Sequence, residues 1–166
     1  RGSKRDDGTS TRDEEASFTK KHGRAYHGYK GHIACDLSGV VTDYRFTTAK
    51  EHDSRRIDEL TMKERKAVIA DSAYGSAERR RRLRSRGVVD GISYKRQRGQ
   101  GELPPLLKRI NRMIASARAP VEHPFAWMKQ MGHRRARYRG RRRNELDFAL
   151  MLAAYNWKRS LSLKTG

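Results

Sequence analysis

A chain of 166 residues has the length of one domain, and its 39 Lys and Arg against 19 Asp and Glu leave a formal charge of +20. That excess points to a polyanionic partner, because such a surface repels itself and attracts phosphate backbones. The one cysteine, Cys35, excludes a disulfide framework and a thiolate metal site. No apolar run approaches the roughly 20 residues that cross a bilayer, so DNA or RNA in a reducing cytoplasm is expected rather than a membrane.

Residues 1–17 mix charges with Gly, Ser and Thr and read as a flexible polar segment, with the folded part expected over 18–166. The first residue is Arg1, so a piece of a longer product is expected. Tyr26 to Cys35 reads as an extended segment with Tyr29, Ile33 and Cys35 on one face and Lys30, His32 and Ala34 on the other. The turn Leu37-Ser38-Gly39 and the alternating run from Val40 to Thr47 complete an antiparallel hairpin. A helix is expected over His52 to Leu60, with Ile57 and Leu60 facing inward.

Val68, Ile69 and Ala70 fit a buried strand that ends on Asp71, and the small residues after it fit a turn. An Asp there is commonly an N-cap, yet the carboxyl edge of an open α/β sheet is also where ligands gather. A helix over 77–86 carries RRRRLRSR, Gly87 ends it, and a strand follows over Val88 to Tyr94. Two helices are read over 106–117 and 120–131, the second starting near Glu122 because Pro120 and Pro124 suit a first turn. The connector RRARYRGRRR leads to an amphipathic helix over 145–161, with Leu146, Ala149, Leu150, Ala153 and Trp157 at helical spacing. The order of elements predicts an α/β fold, a mixed sheet flanked by helices.

Arg118, Glu122 and Lys129 stand four and seven residues apart, which on a helix places them near one face. Such spacing is usually a solvated face. His27, His32 and Cys35 lack ligand-like spacing and read as structural. The two arginine-rich runs read as contacts to a nucleic-acid backbone, with Tyr138 able to stack on an unpaired base or to anchor the connector.

The stretches IADSAYG (69–75), APVEHPFAWMKQMG (119–132), HGYKGHIACDLSG (27–39) and TAKEHDS (48–54) together resemble the catalytic domain of DDE-type bacterial insertion-sequence transposases, the group numbered five and its relatives. RYRG (137–140) and AYNWKR (154–159) belong to the resemblance, which spans about Phe18 to Leu161. It implies a ribonuclease H-like fold and a triad of carboxylates holding two divalent ions, normally magnesium, for DNA strand cleavage and strand transfer. Asp71 matches the second acid and Glu122 the third. The family signature around the third acid assigns Arg118 and Lys129 to phosphate contact, and Arg135, Arg137, Tyr138 and Arg139 would extend it along DNA. Its tyrosine position holds Ala115 here. His52 and Asp53 match a family motif and would organise the hairpin's end near the site, or form a capping Asp beside a surface His; His123, after the third acid, is a supporting residue of the site or packs against the helix below.

The family's first Asp lies on the sheet's first strand, upstream of the polar insertion in which this chain begins; neither Asp36, at the hairpin turn, nor Asp43 matches it. The resemblance therefore implies a carboxyl-terminal portion lacking its first strand, with transposon ends and target DNA as partners and a homodimer in the transposition complex. The alternative is a truncated remnant that holds DNA without catalysis. An RNA-binding protein of the translation machinery shares the basic composition but does not account for the paired acid motifs.

Overall fold

The computed structural model describes residues 12–165 apart from 22, 53, 55, 65, 97, 98 and 100. The chain divides into two compact units, one of residues 1–32, 44–52 and 124–166, the other of residues 33–43 and 53–123. Five strands and five helices are described: β1 (Ser17–Lys21), β2 (Arg24–Cys35), β3 (Val41–Thr48), α1 (Ile57–Leu60), β4 (Ala67–Ala70), α2 (Ala77–Ser85), β5 (Val89–Ile92), α3 (Pro105–Arg118), α4 (Glu122–Gln130) and α5 (Arg141–Lys164). The α/β class is as expected. The strands form two ladders, β1-β2-β3 and β4-β5, rather than one mixed sheet, and no ladder joins them among the described residues.

In the first unit, β1 pairs antiparallel with the start of β2, from Ser17 opposite Gly28 to Lys21 opposite Arg24. This strand extends the hairpin and was not among the expected elements. Tyr29 stacks on Phe46 at 5.3 Å between ring centroids, and Phe148 of α5 meets both Phe46 and Tyr44. Gly31 lies beneath the Phe148 ring, where a Cβ would collide with it. His32, assigned to the polar face, is buried, and its Nε2 shares a 2.9 Å hydrogen bond with the Thr47 hydroxyl. The partner makes that burial tolerable.

On α5 the apolar face expected inward is turned outward: Leu146, Leu150 and Trp157 are exposed, and the buried positions are Asn144, Leu152 and Tyr155. The helix carries two apolar faces, and the one with the aromatic partners is inward: Phe148 against the hairpin, and Tyr155 against Trp127 at 5.8 Å. The helix also begins earlier than expected, at Arg141.

The second unit is built on the parallel pair β4-β5, with Val68 opposite Asp90 and Ala70 opposite Ile92. Ile57, Val68, Ala70, Leu83, Val88 and Ile92 form its core, with Tyr74 packed against it. Of the helix expected over 52–60, the described helical residues are those of α1, and ahead of it the Ser54 carbonyl accepts from the Arg79 guanidinium at 2.8 Å while Arg56 offers no side-chain cap. β5 stops at Ile92 for a similar reason: both backbone groups of Tyr94 bond to the Asn111 side chain, at 2.8 and 2.9 Å.

Candidate active site and basic loop

Asp71 follows β4 directly and caps a 3-10 turn over Ser72–Tyr74, its Oδ1 accepting from the Ser72 N–H. The capping expectation is thus met geometrically, and the cap engages one oxygen: no described residue bonds Oδ2. The side chain is exposed, as a strand's carboxyl end allows. Glu122 opens α4 after the turn over Ala119–Val121, so Pro120 falls before the helix and Pro124 in its first turn, where a missing N–H is harmless. Arg118 Nη1 donates to Glu122 Oε1 at 2.8 Å. This pair is exposed, and its contribution to stability is small.

No hydrogen bond links Asp71 to Glu122 or Arg118, although all three belong to the second unit. Their chemistry is right for a hard divalent cation: two exposed carboxylates, each with an oxygen engaged by no described residue. Among the described residues, no three His, Cys, Asp or Glu side chains gather as a metal cluster, so Asp71 and Glu122 are at most part of a ligand set. His123 is exposed beside Glu122, and His52 is exposed after β3. Asp53 lies outside the described residues. Burial, with Asp36 beside it, pushes the Cys35 thiol up to about 12, which disfavours the thiolate.

The basic residues divide sharply by role. Arg79 grips Asp58 with two bonds, at 2.8 and 3.1 Å, and donates to the carbonyls of Ser54 and Tyr74. Arg80 Nη1 donates to both Asp90 carboxylate oxygens at 2.9 Å, Nη2 donates to the carbonyls of Ile92 and Ser93, and the guanidinium lies over the Tyr94 ring at 4.7 Å. Arg86 donates to the carbonyls of Thr61, Met62 and Glu64. Arg79, Arg80 and Arg86 therefore staple the second unit together, and Arg82 adds an ion pair to Asp58 at 2.8 Å, which corrects the backbone-contacting reading for these four of the run's six arginines. The planar guanidinium, with five donors, suits carbonyl clusters as well as phosphates.

The other run is a constructed loop in the first unit. Gly132, at φ +82°, ends α4, and Gly140, at φ +88°, starts α5; both conformations favour glycine. Between them the loop is pinned by the buried side chain of Asn144, whose Oδ1 accepts from the N–H groups of Arg137 and Tyr138 at 3.1 and 3.2 Å. Its Nδ2 donates to the carbonyls of Tyr138 and Gly140 at 2.7 and 2.8 Å. A second support comes from the polar segment before β1. Asp13 accepts from the Tyr29 hydroxyl at 2.7 Å and the Gly140 N–H at 2.9 Å, and Glu15 accepts from the Arg141 N–H at 2.9 Å.

Glu15 also places an acid at the α5 N-terminus, where three arginines oppose the helix dipole. Burial works against the Asp13 carboxylate, but the Tyr29 hydroxyl, the Gly140 and Glu15 N–H groups and Arg139 outweigh it and hold it below the usual carboxylate range. Burial, then the bond to Asp13, raises the Tyr29 phenol. Arg135, Arg137 and the Tyr138 ring remain exposed on this loop, and Arg139 donates to the Arg12 carbonyl at 2.9 Å. Lys129 is exposed in the last turn of α4.

Asn144, Asp13 and Glu15 were not anticipated from the sequence. The available signal for Asn144 was a polar residue four positions before Phe148 and eight before Leu152, on the buried face of α5.

Acids at a strand end and a helix start thus stand in the second unit, and a shaped basic loop in the first, within an α/β chain. The chain matches the transposase DDE domain family over residues 4–157 and belongs to that family. Intact members are transposases acting on DNA, and the family uses divalent metal ions. No solved structure matches the chain. Among the described residues, no helix is long and apolar enough to cross a membrane.

Proposed function

We propose that this chain is the carboxyl-terminal part of a ribonuclease H-like transposase catalytic domain, in which Asp71 and Glu122 are two of three carboxylates for a pair of magnesium ions. The first Asp and its strand come from outside this chain. The reaction is DNA strand cleavage and strand transfer, acting on transposon ends and target in the cytoplasm. The observation that carries the reading is the family match together with the placement of Asp71 at the end of β4 and Glu122 at the start of α4, each with an oxygen that no described residue engages. Among the described residues, β5 is the ladder neighbour of β4, which leaves room for a further strand beside β4.

When bound, the ions would activate a water and relieve charge on the leaving oxygen. The chain's own residues hold and orient. Arg118 fixes Glu122 through Nη1 and keeps its other donors for a phosphate. Lys129, Arg135, Arg137 and Arg139 neutralise backbone phosphates, and Tyr138 offers a stacking face for an unpaired base. His52, Asp53 and His123 support the acids.

The test is paired. In an intact transposase carrying this domain, Asp71→Asn or Glu122→Gln should abolish magnesium-dependent cleavage while duplex binding persists with a log-log salt slope of about −0.9 per neutralised phosphate. Manganese titration followed by electron paramagnetic resonance should show weakened binding in both variants. Cleavage surviving in either variant refutes the assignment. A second reading, a DNA-holding remnant without catalysis, is favoured by the structural use both acids already have, one as a cap and one in an ion pair. It requires that the same intact protein bind DNA and fail to cleave it with both acids present.

A further inference from the structure

The outward face of α5 carries an apolar stripe that its packing does not use. Leu146 is 61% exposed, Leu150 62%, Trp157 75% and Leu161 52%, with the exposed Ala153 and Ala154 between them. At 100° per residue these six positions fall within about one quarter of the helix circumference, opposite the buried Asn144, Leu152 and Tyr155. The stripe runs about 22 Å along the axis. Trp157 alone presents on the order of 150 Å², and the whole stripe roughly 500 Å², near the top of what a soluble monomer usually leaves open.

Leu146 and Leu161 lie equally far from the midpoint between Ala153 and Ala154, and so do Leu150 and Trp157. A two-fold axis through that midpoint therefore sets apolar positions opposite apolar positions along the whole stripe, large Trp157 against smaller Leu150 in both halves, which gives the reciprocal contacts of an isologous interface. We propose that this face of α5 pairs antiparallel with the same face of a second copy of this chain, about an axis passing between Ala153 and Ala154.

The pairing lets two helices approach closely at the alanines and sets Leu150 beside Trp157 of the partner subunit, with Leu146 beside Leu161 of the partner subunit. Along one flank, Asp147, which faces His133 Nδ1 at 3.3 Å, comes toward Lys158 of the partner subunit. The two stripes together bury about 1,000 Å², the size at which specific interfaces begin, so association in the micromolar range is expected. Arg143 and Lys164 come together at the ends, and each copy carries +20. The contact therefore works against charge repulsion and tightens as salt screens it, the opposite of binding to DNA.

Sedimentation velocity of this chain, at 1–100 µM on the order of the expected affinity, tests the proposal across sodium chloride concentrations. A dimer is expected whose dissociation constant falls several-fold as salt rises. The double variant Leu150→Glu/Trp157→Glu, which alters exposed residues only, should be monomeric with an unchanged circular dichroism spectrum. A short bismaleimide should link Ala153→Cys copies to each other. It should join Leu146→Cys copies to Leu161→Cys copies but not either to itself.

A monomer at every salt concentration overturns the proposal, including one in which Trp157 is shielded from acrylamide by another segment or partner. So does a dimer indifferent to the double variant, or a Leu146→Cys self-link. Failure here leaves the DNA reading intact, because that reading is measured by cleavage and by a salt dependence of opposite sign.

Discussion

Replacing Asn144 with Ala removes the four hydrogen bonds that define the basic loop, the two accepted from Arg137 and Tyr138 and the two donated to Tyr138 and Gly140. Each such bond contributes about 0.5–1.5 kcal/mol net, and a buried group left unpaired costs about 1–3 kcal/mol. The freed loop groups are part-buried, so water reaches some of them, and the loss should lie near the low end, at about 2–4 kcal/mol. The small cavity left by the side chain adds to it in the same direction.

Urea unfolding followed by far-ultraviolet circular dichroism should show the midpoint falling with little change in slope. Asn144→Asp should lose at least as much: it keeps both acceptor bonds but turns a carboxylate oxygen toward two carbonyls in place of a donor. DNA affinity of both variants should drop as well, because Arg135, Arg137 and Arg139 would have to be ordered on binding. A loss below about 0.5 kcal/mol for Asn144→Ala would refute the clamp, since it lies under the contribution of a single bond.

Arg80→Ala strips the guanidinium from the buried Asp90 carboxylate and should destabilise the protein by about 2–4 kcal/mol, somewhat under the usual cost of breaking a buried pair because Arg84 lies 3.8 Å from Asp90. Arg80→Lys should restore only part of this, and neither variant should change the salt slope of DNA binding; a reduced slope would return Arg80 to the phosphate-contacting set. Acid should also destabilise the protein through Asp58. The hydrogen bond from Arg79, against opposing desolvation and with further help from Arg82, holds its carboxyl below the ordinary range. The unfolded chain then takes up this proton at a higher pH than the folded one, so the stabilisation is present above about pH 4 and is lost as pH falls through the folded value. Urea midpoints measured from pH 5 downward should fall less steeply in Asp58→Asn than in the wild type, and parallel curves would exclude the pair as a source of acid sensitivity.

Several features were legible without coordinates. The strand ending on Asp71, the helix beginning at Glu122 and the Arg118–Glu122 spacing depend on local rules, such as apolar runs, the tolerance of proline in a first turn and the meeting of side chains four apart on a helix. These interactions close within a few residues, so their pattern is written in the chain itself. The motifs around those acids were likewise sufficient to name the family that the chain matches.

Other features were decided by partners distant in sequence. Whether an arginine of α2 faces solvent or a cluster of carbonyls depends on Asp58, Ser54 and Asp90, and composition treats all six arginines of RRRRLRSR alike. The two apolar faces of α5 were equally plausible core faces until Phe46, Tyr44 and Trp127 arrived beside one of them. The basic loop took its shape from Asn144 and from Asp13, more than a hundred positions upstream of Gly140. Charge and periodicity are properties of the chain, but the pairing of a buried polar group is a property of what folding places within three ångströms of it.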